Sequence, residues 1–398
     1  MFKILMIAPT PFFADRGCHV RIYEETRELE RQGNRVQLCT YFLGSDISGL
    51  TIHRIRRVPF YHKMEAGPSY TKLILDTMLG KKALELARRF KPDIIHAHLH
   101  EGCLLGVFLK KLIPRPLVFD YQGSLSEEAL AHGFFPPNSM RHRALVCMEK
   151  WLNQAPDLIF TSSEYLHDEI KGLADSTRVI ALGDGVDAKL FQPVGDSAAL
   201  REQLGIPLQA PVVVFLGLLN RYQGVDLLLE AIRRTTRRIP DVQFLIMGYP
   251  DEEAYRRKAE QLGVAQFTSF PGRINYFQAS QYLSLGRIAV APKISRTESN
   301  GKLLNYLACG LPVVAFDTPA NREILRDNAA YARLAHDENQ SAENLAQKMI
   351  ELLEDEPLRM CLSERGRNMA RDELGWDRVG RKMMRYYNEL LQFQGVWS

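Results

Sequence analysis

The residues best suited to chemistry lie late in the chain. The apolar run Ile288–Ala291 reads as a strand. It passes into a loop, 292–300, that carries Glu298 and Asn300, and Gly301-Lys302-Leu303 then opens a helix running to Ala308. In parallel α/β sheets ligands gather at the carboxyl ends of strands, where helix N-termini point. Backbone N–H groups around Gly301 and Leu303, with the Lys302 ammonium, make a competent seat for a diphosphate. Glu298 is an acceptor of hydrogen bonds when ionised and suits sugar hydroxyls. Asn300 either joins this site or caps the helix.

Two other strand-to-helix turns could contribute. Gly17, in the segment after the first strand, lets backbone N–H groups approach a phosphate, or simply allows a tight turn. Gly217 closes the first strand of the second half. The loop behind it holds Arg221, which can pair with a diphosphate or face solvent. His96, His98 and His100 alternate along Ile94-Ile95-His96-Ala97-His98-Leu99-His100, so on one strand the three imidazoles would converge. No second ligand cluster accompanies them, and the expected use is an acceptor-facing polar rim with His98 or Glu101 moving a proton. There is no Gly-x-Gly-x-x-Gly after the first strand, no Walker-type loop and no Asp-x-Asp for a divalent ion. A dinucleotide cofactor and a metal are therefore not expected.

These residues need a frame. Strands are expected at Lys3–Ala8, Arg35–Thr40, 93–97, Leu117–Tyr121, Leu158–Thr161 and Arg178–Ala181, with helices between them. A Gly- and Pro-rich stretch from Gly183 to Pro211 reads as a linker. A second alternating series follows, at Val212–Leu216, Gln243–Met247, 267–270, Ile288–Ala291 and 312–316. With 398 residues, the economical fold is two doubly wound domains in tandem. Near the end, Met383, Tyr386, Leu390 and Leu391 form an apolar stripe on a helix over 377–392.

Six scattered cysteines show no paired spacing, which fits a reducing compartment. No apolar run approaches the ~20 residues that span a bilayer. Net charge is +4, but residues 51–115 hold thirteen Lys or Arg against five acids. That imbalance suits an anionic membrane surface or a phosphorylated acceptor, or is a solvated face. Nucleic acid is not expected as a partner. A cytoplasmic protein is expected, with any membrane contact peripheral and at the inner face.

Several segments, in order, resemble the GT-B glycosyltransferases of family 4. They are Pro92-Asp93-Ile94-Ile95-His96-Ala97-His98, then Asp157-Leu158-Ile159 with Ser162-Ser163-Glu164, then Gly183-Asp184-Gly185-Val186-Asp187. Gln223-Gly224-Val225-Asp226-Leu227-Leu228, Ala308-Cys309-Gly310-Leu311-Pro312-Val313-Val314 and Asn321-Arg322-Glu323-Ile324 complete the set. The resemblance covers nearly the whole chain. It implies two Rossmann-like domains facing across a cleft: an acceptor-side domain over 1–185, a nucleotide-sugar domain over 186–374, and a terminal helix over 375–398 crossing back to the first. It also implies a nucleoside-diphosphate sugar donor as substrate, a glycan or lipid-linked acceptor, no cofactor or metal, and retention of anomeric configuration.

The departures fall at the donor. Where the family commonly places an Arg and a Lys on the diphosphate, this chain has Leu218 and Gln223. Its paired glutamates align to Thr297 and Asn305, and its usual His after the fifth strand is Gln122. The expected rewiring gives the leaving group to Lys302 and Arg221 and the sugar to Glu298, and lines the reaction centre with Gln122, His98 and the Gly17 loop. The competing readings are a sugar-nucleotide epimerase of the same fold and a non-catalytic scaffold in polysaccharide assembly.

Overall fold

The computed structural model describes residues 1–59, 61, 70–131, 134–172, 178–195, 197–295 and 299–395. The chain divides into two compact units, Met1–Asp184 with Trp376–Ser398, and Gly185–Gly375.

The first unit is built on seven strands: β1 (Lys3–Ala8), β2 (Arg35–Thr40), β3 (Ile52–Arg54), β4 (Ile94–His98), β5 (Leu117–Tyr121), β6 (Leu158–Thr161) and β7 (Arg178–Ala181). They pair in parallel in the order β3-β2-β1-β4-β5-β6-β7. Helices α1 (Gly17–Arg31), α2 (Tyr70–Phe90), α3 (Leu99–Leu112), α4 (Leu125–Ala131), α5 (Met140–Gln154) and α6 (Glu164–Lys171) supply the crossovers. Parallel strands covered on both faces need no polar side, and β4, β5 and β6 are buried along their whole length. Relative to the expected 93–97, β4 is shifted by one residue. Asp93 is held just outside it, its carboxylate accepting from the Lys3 backbone N–H at 2.8 Å.

The second unit holds β8 (Val212–Leu216), β9 (Gln243–Met247), β10 (Thr268–Gly272), β11 (Ile288–Ala291), β12 (Val313–Phe316) and β13 (Ala329–Ala332), in the order β10-β9-β8-β11-β12-β13. Its helices are α7 (Ala198–Gln203), α8 (Val225–Arg238), α9 (Glu252–Gln261), α10 (Ala279–Leu283), α11 (Lys302–Ala308), α12 (Pro319–Leu325), α13 (Glu338–Glu354) and α14 (Glu356–Asp372). The stretch read as a linker contains α7, capped by Ser197 Oγ, which accepts from Leu200 N–H at 3.2 Å. The expected start of β10 at 267 is instead the end of a single 3₁₀ turn, Ala265–Phe267.

The last helix, α15 (Trp376–Gly395), belongs to the first unit and packs along α1. A Cβ at Gly380 would lie 2.2 Å from Glu28 Cγ, so glycine permits this close approach. The buried stripe is Val379, Met383 and Tyr387; Tyr386, expected on it, is only part-buried and stacks under Arg178 instead.

Candidate active site

In the second unit the relevant side chains meet at the carboxyl ends of β8 and β11. Tyr306, buried on α11, accepts a hydrogen bond from Leu216 N–H at 2.8 Å and fixes the end of β8. Gly217 follows; a Cβ there would lie 2.4 Å from Lys302 Nζ. Lys302 reaches back from the first turn of α11, donates to Gln223 Oε1 at 2.6 Å, and lies 4.4 Å from the centroid of the Phe215 ring. Lys293, in the loop after β11, is only 4 % exposed and donates to the Ser299 carbonyl at 3.0 Å. Burial first, and then the neighbouring Lys293 charge, push the Lys302 pKa well below the ordinary lysine value. Lys302 thus lies in an enclosed corner beside a second lysine.

The backbone around this corner is tightly specified. Gly224 has φ 75°, and a Cβ there would lie 1.9 Å from the Pro292 carbonyl oxygen. Ile294 N–H donates to the Tyr222 carbonyl at 3.1 Å, which ties the loop after β8 to the loop after β11. Gln223, at the position where the family places a lysine, therefore holds a lysine sent from α11.

The other sequence-derived donor residues fare differently. Asn300 does not cap α11. It is buried, and its amide donates to Asn321 Oδ1 at 2.9 Å; Asn321 in turn donates to the Phe316 carbonyl at 2.8 Å. The N-cap is Gly301, which is exposed. Leu303 is fully buried, and its N–H is already bonded to the Asn300 carbonyl at 2.9 Å. Arg221 does not join the corner: its side chain is 79 % exposed and pairs with Glu338 at 2.7 Å, because the loop carries it out towards α13. Glu298 lies outside the described residues. Sequence reasoning missed Lys293. The one available signal was a lysine immediately past the buried end of a central strand.

In the first unit the corresponding edge is a charge cluster. Arg21 on α1 donates through Nε to Asp120 at 2.9 Å, and through Nη1 to Asp184 at 2.6 Å and the Gly183 carbonyl at 2.7 Å; Glu25 is 3.0 Å away. His98 Nδ1 meets Asp120 at 3.0 Å, and Gln122 Nε2 donates to the same carboxylate at 2.7 Å. Burial opposes ionisation of Asp120, yet Arg21 and His98 hold its carboxyl well below the usual range. Burial and the adjacent Asp120 charge push the Glu25 pKa well above its ordinary value.

His96 stacks on His98 at 4.6 Å and is bonded to Tyr387 of α15. The third histidine departs from expectation. The strand ends at His98, Leu99 takes φ 61°, and α3 carries His100 away to Glu149 at 3.3 Å. Glu101 pairs with Lys72. Glu25, His96, His98 and Asp120 present four possible ligand atoms within 4.8 Å of one another. The Arg21 guanidinium, touching both carboxylates, already supplies the local cation.

Gly17 opens α1, is exposed, and would have nothing within 4 Å of an added Cβ. The loop before it is pinned by His19, whose Nδ1 accepts from Ala14 N–H at 2.9 Å; Nε2 therefore carries the hydrogen towards Thr10 Oγ1 at 2.5 Å.

Part of the positive charge of 51–115 is paired: Arg54 with Asp46, Lys110 with Asp157, and Lys82 and Arg89 with Glu85. Lys63 and Glu65 lie outside the described residues. Among the described residues no helix is long and apolar enough to cross a membrane.

Two family models match the chain, "Glycosyltransferase Family 4" over residues 16–190 and "Glycosyl transferases group 1" over residues 196–369. A D-inositol 3-phosphate glycosyltransferase of Segniliparus rotundus is 28% identical over 321 residues, covering 75% of this chain and 69% of that protein. A sulfoquinovosyl transferase of Arabidopsis thaliana is 25% identical over 319 residues, covering 78% of this chain and 58% of that protein. Among solved structures, a sucrose-phosphate synthase of Thermosynechococcus elongatus aligns with a TM-score of 0.82 at 18% identity, covering 98% of this chain and 100% of that one. HepE of Anabaena, in complex with UDP and glucose, aligns at 0.74 and 18% identity, with 98% and 100% covered. The two sheets have the GT-B architecture of these structures.

Proposed function

The chain belongs to the group 1, family 4 type of GT-B glycosyltransferases, and from that premise we propose that its second unit binds a nucleoside-diphosphate sugar through Lys302 and Lys293. The sugar passes, with retention of configuration and without a metal, to a glycan, lipid-linked or other acceptor held by the first unit. The product belongs to cell-surface polysaccharide or glycoconjugate synthesis.

One observation carries the proposal: Lys302 lies in an enclosed corner at the carboxyl ends of β8 and β11, beside Lys293, and rests there on an amide oxygen and an aromatic ring. Holding the ammonium form of Lys302 in a poorly solvated place on neutral partners costs free energy. An anion repays that cost, since charge-assisted hydrogen bonds strengthen where water is excluded. As the bond from the sugar to the diphosphate breaks, negative charge grows on the leaving phosphate, and fixed cations stabilise that state more than the ground state. Lys302 takes the role that position 223 fills in the wider family. Arg221 is left out of the clamp, and Glu298 is assigned to the sugar hydroxyls.

In the first unit, Gln122 commits its amide N–H to Asp120, which leaves its carbonyl oxygen to accept from an acceptor hydroxyl. His98 is buried behind it and acts as a positioning residue, holding Asp120 in place.

Calorimetry with UDP, GDP and ADP tests the donor site. At least one diphosphate binds the parent protein, and Lys302→Ala weakens that binding by about 1.5–3 kcal/mol, the range for hydrogen bonds to a charged group. Equal affinity in the parent and the variant would remove Lys302 from the donor site.

A further inference from the structure

The outer face of α5 does not look like a solvated helix. Met140, Ala144, Cys147, Met148 and Trp151 are all exposed, Met140 by 88 % and Trp151 by 47 %. Their spacing places them on one side of the helix. At about 100° per residue, Arg141 falls on one flank of the stripe, and Arg143 and Lys150 on the other. The helix exposes no carboxylate. Its single acid, Glu149, is turned inward to accept from the Ser126 hydroxyl at 2.6 Å and from the Leu125 N–H at 3.1 Å.

We infer that this face of α5 docks on an anionic lipid bilayer. The apolar stripe suits the boundary between headgroups and acyl chains, Trp151 suits the interface, and cations on both flanks meet the headgroup charge. An acidic protein surface would match the cations but would leave a central strip of Met and Trp facing charge. The docking face on α5 lies outside the 51–115 segment. The inference does not depend on Lys302 or on the identity of the donor.

The full chain is mixed with vesicles of phosphatidylcholine alone, and with vesicles of phosphatidylcholine and phosphatidylglycerol, and bound protein is read by flotation. The parent floats with the anionic vesicles only. Trp151→Gln with Met148→Gln lowers partitioning on the order of tenfold. Arg141→Glu, Arg143→Glu and Lys150→Glu together lower it by more than about a hundredfold, since each surface cation contributes about fivefold. All five side chains are exposed, so thermal melting stays at the parental value. Calorimetry with nucleoside diphosphate on the same samples keeps a failure of the donor site separate. The inference is overturned if no vesicle is bound, if neutral vesicles bind equally, or if the variants partition like the parent. It is also overturned if sedimentation velocity shows a dimer that Trp151→Gln dissociates, which would make this face a contact between copies of the chain.

Discussion

The two units meet the problem of buried charge in opposite ways. In the first, Arg21 is surrounded by Asp120, Asp184 and Glu25, and His98 at the end of β4 adds a further contact to Asp120, while Glu25 Oε2 and the Nε2 atoms of His96 and His98 find no hydrogen-bond partner. In the second, Lys302 and Lys293 stand together, and Lys302 leans on a glutamine and a phenylalanine. The first cluster has its counter-ions built in and contributes to holding the fold. Lys302, held by neutral groups beside a like charge, is suited to meeting an anion. The comparison teaches that a cation already matched by buried carboxylates and a lysine resting on neutral partners serve different ends, the first the fold and the second a ligand.

The largest effect that tests this contrast is Asp120→Ala. Removing one partner from a buried ion pair strands the guanidinium, and chemical denaturation should show a loss of about 3–5 kcal/mol. A loss comparable with that of an exposed ion pair would erase the distinction between the units. Lys302→Met is expected to behave in the opposite sense. Nucleoside-diphosphate affinity falls by about 1.5–3 kcal/mol, while the melting temperature without ligand stays level or rises, because a repelled charge is gone.

The pH dependence sharpens the same point. With its folded-state pKa depressed, Lys302 holds fewer protons in the folded chain than in the unfolded one between that lowered value and about 10.4. Across that window its contribution makes the unliganded protein more stable as pH rises. Donor binding runs the other way. The anion favours the ammonium form, so affinity falls as pH rises through the lowered pKa, and calorimetry in buffers of different ionisation enthalpy registers proton uptake. Both trends vanish in Lys302→Met.

Gly217→Ala is a milder probe. The added Cβ collides with the tip of a flexible side chain rather than with backbone, so the fold persists while the ammonium is displaced. Affinity measured by calorimetry falls by about threefold to tenfold, a fraction of a full charge-assisted bond. Arg221→Ala is the smallest change. As half of an exposed pair it leaves the melting temperature close to the parental value and diphosphate affinity unchanged; a large loss of affinity would return Arg221 to the clamp.

The central strands were legible because a strand buried on both faces is a short, nearly uninterrupted apolar run, as in Val212–Leu216 and Ile288–Ala291. The edges were not. Ile52–Arg54 is three residues, all half-buried, and Ala329–Ala332 is mostly alanine, so neither carries a period. The ordered motifs announced the architecture, and Lys302 was singled out from its place at the start of a helix. Lys293 was not, because a lysine between Pro292 and Ile294 resembles any surface loop until β11 is placed beside β8. The Arg21 cluster joins positions 99 and 162 residues apart, a relation that no local spacing encodes. The three-histidine reading failed at Leu99, where a left-handed residue turns strand into helix and breaks the alternation.

The docking of α15 on α1 bears on how the chain is made. Met383 and Tyr387 are fully buried in the first unit, where Tyr387 meets His96, yet they leave the ribosome after the whole of Gly185–Gly375. The second unit is one contiguous stretch and can close as soon as it is synthesised. The first, although it emerges earlier, keeps the seat for α15 open, with apolar surface beside α1 and β4 uncovered, until the last helix arrives. Termination at the end of the second unit, just before residue 376, therefore releases a molecule with a complete second lobe and an unsealed first, a natural client for chaperones.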